Sequence, residues 1–188
     1  MSAPEGVELT LCSTDIVEMA ALRGRARDLQ AIAARRNIEL PALGHTVVAA
    51  NQIAVCVRPD RWLMLTAPAL PGVSAQTWQA VCVGSGAAVD LSSGLAALYL
   101  RGIAIREVLS RGCRLDIDPE VFPAGRAAAT LMNQVSVIIA ALSSGLLLLT
   151  PATTARHVHE WLANTARPFG FEAQPEAPFS MLGGDTAA

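Results

Sequence analysis

At 188 residues, 52% hydrophobic and 16% charged, the chain is long enough for one well-filled core or for two small units that share a sheet face. The formal charge is −2 and all 14 basic residues are arginine, which excludes a Schiff-base lysine and a P-loop lysine, while the scatter of the arginines argues against a nucleic-acid face. The longest apolar run, Val135 to Leu149, is interrupted at Ser143-Ser144-Gly145 into pieces well short of the roughly 20 residues a membrane helix requires; with no secretory pattern at the start, a cytoplasmic protein is expected.

Residues 1–16 read as an N-terminal arm in which Val7 to Leu11 alternates with period two, as suits a short strand or an extended segment. Asp15 to Arg36 has two readings. Asp15 and Glu18 form a capping box ahead of a three-four apolar spacing, which suits one long helix; the repeat set out below favours a strand to Leu22, a break at Gly24 and a helix from Arg25 to Asn37. Thr46 to Ala50, Ile53 to Val57 and Trp62 to Thr66 follow as an antiparallel meander, the last two joined by Arg58-Pro59-Asp60, where proline fixes φ. Ser74 opens a helix that buries Trp78, Val81 and Cys82, Gly84 stops it, and Ala88 to Leu91 is a strand.

The same order then recurs. Ala96 to Leu100 is a strand, Gly102 a break, and a helix runs to about Arg111 before Pro119 and Pro123. Leu131 to Asn133, Val135 to Leu142 and Leu146 to Thr150 form a second meander, and Thr153 or Thr154 caps a helix burying Val158, Trp161 and Leu162. Leu22-Arg23-Gly24 leads to Pro41 with the spacing by which Leu100-Arg101-Gly102 leads to Pro119, and Asn51-Gln52-Ile53 after Gly44 matches Asn133-Gln134-Val135 after Gly125. The reading is a tandem duplication of one αβ unit, about 17–91 and 94–172, in a single globular domain over 17–172. The competing account is chance matching in an Ala/Leu-rich chain, and the apolar faces Leu29/Ile32/Ala33 and Ile105/Val108/Leu109 fall out of phase in the ungapped alignment. Residues 173–188 lack periodicity and read as a tail. The stretch after Gly170 keeps Phe171, Phe179, Met181 and Leu182, which suggests a segment held in a groove of a larger partner, the alternative being that it folds back over its own sheet.

Residues able to do chemistry do not assemble into a pattern. Gly84-Ser85-Gly86 follows a helix and lacks the third glycine of a dinucleotide fingerprint. His157 and His159 stand on different helix faces, without a ligand partner at metal spacing. Ser92-Ser93-Gly94 is a turn and not a nucleophile elbow, and Asp116 and Asp118 suit an acidic turn into Pro119 better than a catalytic carboxylate pair. Cys12, Cys56, Cys82 and Cys113 are far apart and read as buried small hydrophobes. No catalytic, cofactor-binding or metal-binding residue is assigned.

Arg58-Pro59-Asp60-Arg61-Trp62-Leu63, Val89-Asp90-Leu91-Ser92-Ser93-Gly94, the run Arg106 to Ile117 and Phe122-Pro123-Ala124-Gly125 together resemble the gamma subunit of heterotetrameric sarcosine oxidase, over roughly Leu22 to Gly170. That family is similar to the folate-binding domain of the glycine-cleavage aminomethyltransferase. The resemblance implies an α+β fold of two αβ repeats with antiparallel sheets. It further implies a non-catalytic subunit beside alpha, beta and delta partners that carry FAD, FMN, NAD and tetrahydrofolate, in a complex that oxidises sarcosine or a related N-methyl or cyclic amino acid. Folate-using relatives carry an acidic pair where this chain has Val135-Ser136-Val137-Ile138-Ile139, and their Ser-Gly-Pro becomes Leu100-Arg101-Gly102-Ile103, so no folate site is carried over. A free-standing folate-binding, aminomethyltransferase-like protein is the alternative.

Overall fold

Leu146 to Leu149 is apolar at every position, which a strand tolerates only when both of its faces are covered, and the architecture provides that cover. The computed structural model describes residues 5–49 and 52–178. In chain order the first half contributes β1 (Val7–Ser13), β2 (Asp15–Ala21), α1 (Ala26–Ala34), β3 (His45–Ala49), β4 (Gln52–Arg58), β5 (Arg61–Thr66), α2 (Val73–Cys82) and β6 (Gly86–Asp90). The second half contributes β7 (Leu95–Arg101), α3 (Ile105–Ser110), β8 (Ala127–Met132), β9 (Val135–Leu142), β10 (Gly145–Pro151), α4 (Ala155–Ala166) and β11 (Phe171–Pro178).

Two sheets result, one ordered β3-β4-β5-β2-β6 and the other β8-β9-β10-β7-β1-β11. Their facing sides bury Ile53, Val55, Leu63 and Leu65 against Tyr99, Leu142, Leu147 and Leu149. On the outer side of the first sheet, α1 and α2 cover Met19, Trp62 and Met64 with Leu29, Ala33, Trp78 and Val81. On the outer side of the second, α3 and α4 cover Leu98, Ile139 and Leu148 with Val108, Leu109, Val158 and Leu162. Four layers follow, helix, sheet, sheet, helix, in which Leu146 and Leu148 face helices while Leu147 and Leu149 face the other sheet.

The duplication is visible in the strand order. β2, β3, β4, β5 and β6 correspond to β7, β8, β9, β10 and β11, and both sheets place them alike. The helix faces fall one residue out of phase because α1 begins two residues after Gly24 whereas α3 begins three after Gly102, so sequence equivalents are not packing equivalents. One difference separates the halves. β2 pairs directly with β6, whereas β1 is inserted between β7 and β11, antiparallel to the former and parallel to the latter.

That insertion corrects two expectations. Residues 1–16 are not an arm outside the domain: Val7 to Leu11 takes the strand alternative as part of β1, Val7 and Leu9 are buried in the core beneath α3 and α4, and Asp15 already opens β2. Nor does a tail begin at 173, since Phe171–Pro178 is an edge strand on β1. Backbone pairing holds it without side-chain periodicity, and Pro175 and Pro178 are tolerated because an edge strand has one free side. Phe179, Met181 and Leu182 lie outside the described residues. The long-helix reading of Asp15 to Arg36 also fails, because Asp15 pairs with Thr66 as the first residue of β2. Trp161 is half-buried instead of central, lying over Gly112, where an added Cβ would stand 2.4 Å from the indole. β8 begins four residues earlier than the expected Leu131, through pairing of Ala127 with Ala140.

Candidate functional site

The polar cluster with the most definite geometry joins β2 to the β4–β5 hairpin. Glu18 sits in the otherwise apolar stretch from Ile16 to Ala21 and is only 8% exposed, and a carboxylate so placed requires partners. Arg58 and Arg61 supply them. The Arg58 Nη2 donates to Oε1 and the Arg61 Nη1 to Oε2, the latter at 3.0 Å, so each oxygen is gripped by a different guanidinium. The turn between them places Asp60 at φ 58°, and Trp62 beyond it is pinned by its Nε1 donating to the Pro41 carbonyl at 2.9 Å. Sequence reasoning missed this cluster because Glu18 was read locally; a lone glutamate flanked by Ile16, Val17 and Met19 was the available signal.

A second polar group lies on α3. The Arg106 Nη1 donates to the carbonyls of Ile117 and, at 3.0 Å, Phe122, so one guanidinium ties the Asp116–Pro123 loop to the helix. Burial lowers the Arg106 pKa, a cost offset in part by the nearby Asp118 carboxylate. Asp116 accepts the Asp118 N–H at 3.0 Å and Asp118 accepts the Glu120 N–H at 2.9 Å, so both carboxylates brace the loop's own backbone. A shallow cleft of about 300 Å³ beside this loop includes Cys113 and Pro119. A larger cleft of about 510 Å³ opens between α1, α2 and the first sheet, lined by Gln52, Trp78 and Ile38, with Arg36 at its margin.

The remaining residues singled out in the sequence are brought to separate places. Gly84 takes φ 75° where α2 ends, and Ser85 is buried with its carbonyl accepting the Leu22 N–H. Ser92 closes a turn: its Oγ accepts the Ile16 N–H at 3.0 Å, while its hydroxyl donates to Asp90 Oδ1 at 2.6 Å and its backbone N–H donates to the same oxygen at 2.9 Å, two bonds that hold the Asp90 carboxyl below its ordinary value. His157 Nε2 meets the Asn133 amide at 3.0 Å, whereas His159 stands edge-on to Phe171. Among the described residues no three of His, Cys, Asp or Glu gather at metal-binding distance, and no helix is long and apolar enough to cross a membrane.

The model of the sarcosine oxidase gamma subunit family matches residues 23–166. Sarcosine oxidase subunit gamma of Arthrobacter sp is 32% identical over 111 residues, 58% of this chain and 54% of that one, so the match spans about half the length of the curated relative. Among solved structures, a chain of the heterotetrameric sarcosine oxidase from Corynebacterium sp. U-96 in complex with pyrrole 2-carboxylate aligns with a TM-score of 0.76 at 23% identity, covering 90% of this chain and 88% of that one. The glycine cleavage system aminomethyltransferase T from Bartonella henselae aligns with a TM-score of 0.64 at 12% identity, over 97% of this chain and 50% of that one. At these identities the two structures speak to the fold alone, and both share it.

Proposed function

This chain belongs to the sarcosine oxidase gamma subunit family, and from that membership we propose that it is the non-catalytic gamma subunit of a heterotetrameric, flavin-dependent sarcosine oxidase. Its partners in this reading are the alpha, beta and delta subunits, which carry FAD, FMN, NAD and tetrahydrofolate. The complex oxidises sarcosine or a related N-methyl or cyclic amino acid in the cytoplasm and passes the one-carbon unit to tetrahydrofolate. The family match over residues 23–166 carries the reading. What supports a structural role is the use made of the polar groups: Arg106, Asp116, Asp118 and Ser92 are engaged with backbone of this chain. The residues do not fit a folate site. Val137 and Ile139 of β9 point into the core beneath the helices, and no carboxylate lies along Val135–Leu142 on either face of that strand.

The test is purification through a tag on this chain, from cells that also make the other subunits, followed by purification of the chain alone. The expected result is a coloured, sarcosine-oxidising assembly in the first case and a colourless chain that binds no folate in the second. An isolated chain that turns over sarcosine, or that binds tetrahydrofolate tightly in calorimetry, overturns this assignment in favour of a free-standing folate protein.

A further inference from the structure

Resting on the subunit reading above, we propose that the Arg58–Glu18–Arg61 cluster, with Leu22 and Val83 beside it, is the docking point for a carboxylate-bearing segment of a larger partner subunit. Glu18 is buried and uses one oxygen for each arginine, so the two guanidiniums are held in fixed directions instead of sampling the rotamers of free surface arginines. Their side chains remain 55% and 48% exposed. Each guanidinium has five N–H donors and spends one on Glu18 here, which leaves several aimed at solvent in the forked geometry that carboxylates accept.

The surroundings select a protein partner. The Ala21 N–H donates to the Asp60 carbonyl at 2.9 Å and the Leu22 N–H to the Ser85 carbonyl at 2.8 Å, so the hairpin tip, Leu22 and the exit of α2 stand side by side at one end of the sheet. Leu22 is 54% exposed and Val83 68%. Arg23, exposed next to Leu22, makes no hydrogen bond or ion pair among the described residues. Three arginines against Glu18 and Asp60 leave the patch positive in a chain whose formal charge is −2. Fixed arginines beside exposed aliphatic side chains are the composition of an interface centre, and the surplus charge asks for an acidic residue opposite.

The experiment tags this chain, co-expresses it with the larger subunits of its complex, and measures partner recovered per tagged chain across a salt series. Arg58→Lys with Arg61→Lys keeps a cation on each side of Glu18 but removes the forks; Leu22→Asp with Val83→Asp removes the apolar flank at exposed positions. Both pairs should lower recovery by about tenfold or more, with the isolated chain melting as the parent does, while Leu70→Asp, 77% exposed on the loop between β5 and α2, leaves recovery unchanged. Recovery by the parent should also weaken as salt rises, because the contact pairs opposite charges at an exposed patch. Undiminished recovery by both variant pairs overturns the docking point while the subunit reading stands, and equal loss with Leu70→Asp overturns it too. A parent chain that recovers no partner at any salt removes the subunit reading and the docking point together. Should the lysine pair melt early, the aspartate pair decides.

Discussion

Cys12 lies between the two sheets, Cys56 beneath α1 and α2, and Cys82 on the buried side of α2, and burial pushes each thiol up from its ordinary 9.0, Cys12 to about 12 and Cys82 to about 11. Because the thiolate is the nucleophile, these three stay unreactive at pH 8 while half-buried Cys113 is the one open to attack. A chromogenic disulfide titration of native chain should therefore give at most one equivalent, and four after unfolding in guanidinium; a native value of three or four contradicts the burial. The sign of the linked pH effect follows. Below the unfolded thiol value both states hold their protons and nothing is lost, but above about 9 the unfolded chain ionises while the folded chain does not, so stability falls as pH rises from 9 toward 12. The urea midpoint should be lower at pH 10.5 than at pH 8. Trp62, buried with its indole N–H satisfied, should cost about 3–5 kcal/mol on truncation to alanine. Trp161→Ala should cost less, about 1–2 kcal/mol, since the ring is half-exposed; chemical denaturation of both variants checks the ranking.

Among the elements, those set by local signals were legible in the chain. Short apolar runs bounded by turn residues placed β4, β5, β9 and β10, glycine at positive φ ended α2, and the strand-break-helix step recurs around Gly24 and Gly102 because both need backbone conformations that side chains resist. The Asn133-Gln134 turn, with φ 46° and 66°, makes the two-residue hairpin that joins β8 to β9. What was not legible depends on which strands become neighbours. Nothing within Val7–Ser13 says that it separates β7 from β11, and nothing within Phe171–Pro178 says that it lies beside β1; the Glu18 cluster was hidden for the same reason, its partners being 40 and 43 positions away. Close backbone approach marks the inserted strand: a Cβ on Gly102, at φ 127°, would fall 1.8 Å from the Gly6 carbonyl oxygen, so Gly102→Ala should displace β1 and lower the melting temperature. Truncation after Gly170 removes β11 and uncovers the long edge of β1, and the isolated chain should again melt earlier. If that truncation melts with the parent, the edge pairing contributes nothing to the fold.

For the molecule as a whole, two separate features of the fold predict that the two halves unfold as one cooperative body. Each sheet has only one helix layer, so either half alone exposes its inner face, with Ile16, Ile53, Leu63 and Leu65 on one side and Tyr99, Leu147 and Leu149 on the other. The halves are also tied together by backbone in two places. β1 belongs by sequence to the first half but pairs in the sheet of the second, and the Thr46 N–H donates to the Gly125 carbonyl while the Ala127 N–H donates to the Gly44 carbonyl, both at 2.9 Å, joining β3 to the start of β8. A fragment of residues 94–188 therefore lacks the strand that separates β7 from β11, and a fragment of residues 1–93 carries that strand with nowhere to pair it. Expressed singly, both should give poorly dispersed amide NMR spectra and no cooperative thermal transition, because uncovered apolar sheet faces cannot specify one packed state. Mixed in equal amounts from denaturant, they should restore a dispersed spectrum and one shared transition, the break falling in the exposed turn at Ser93-Gly94 where no strand is cut. A fragment of residues 94–188 that folds cooperatively by itself would mean that the inserted β1 is dispensable and that the repeat, not the fused pair, is the unit of stability.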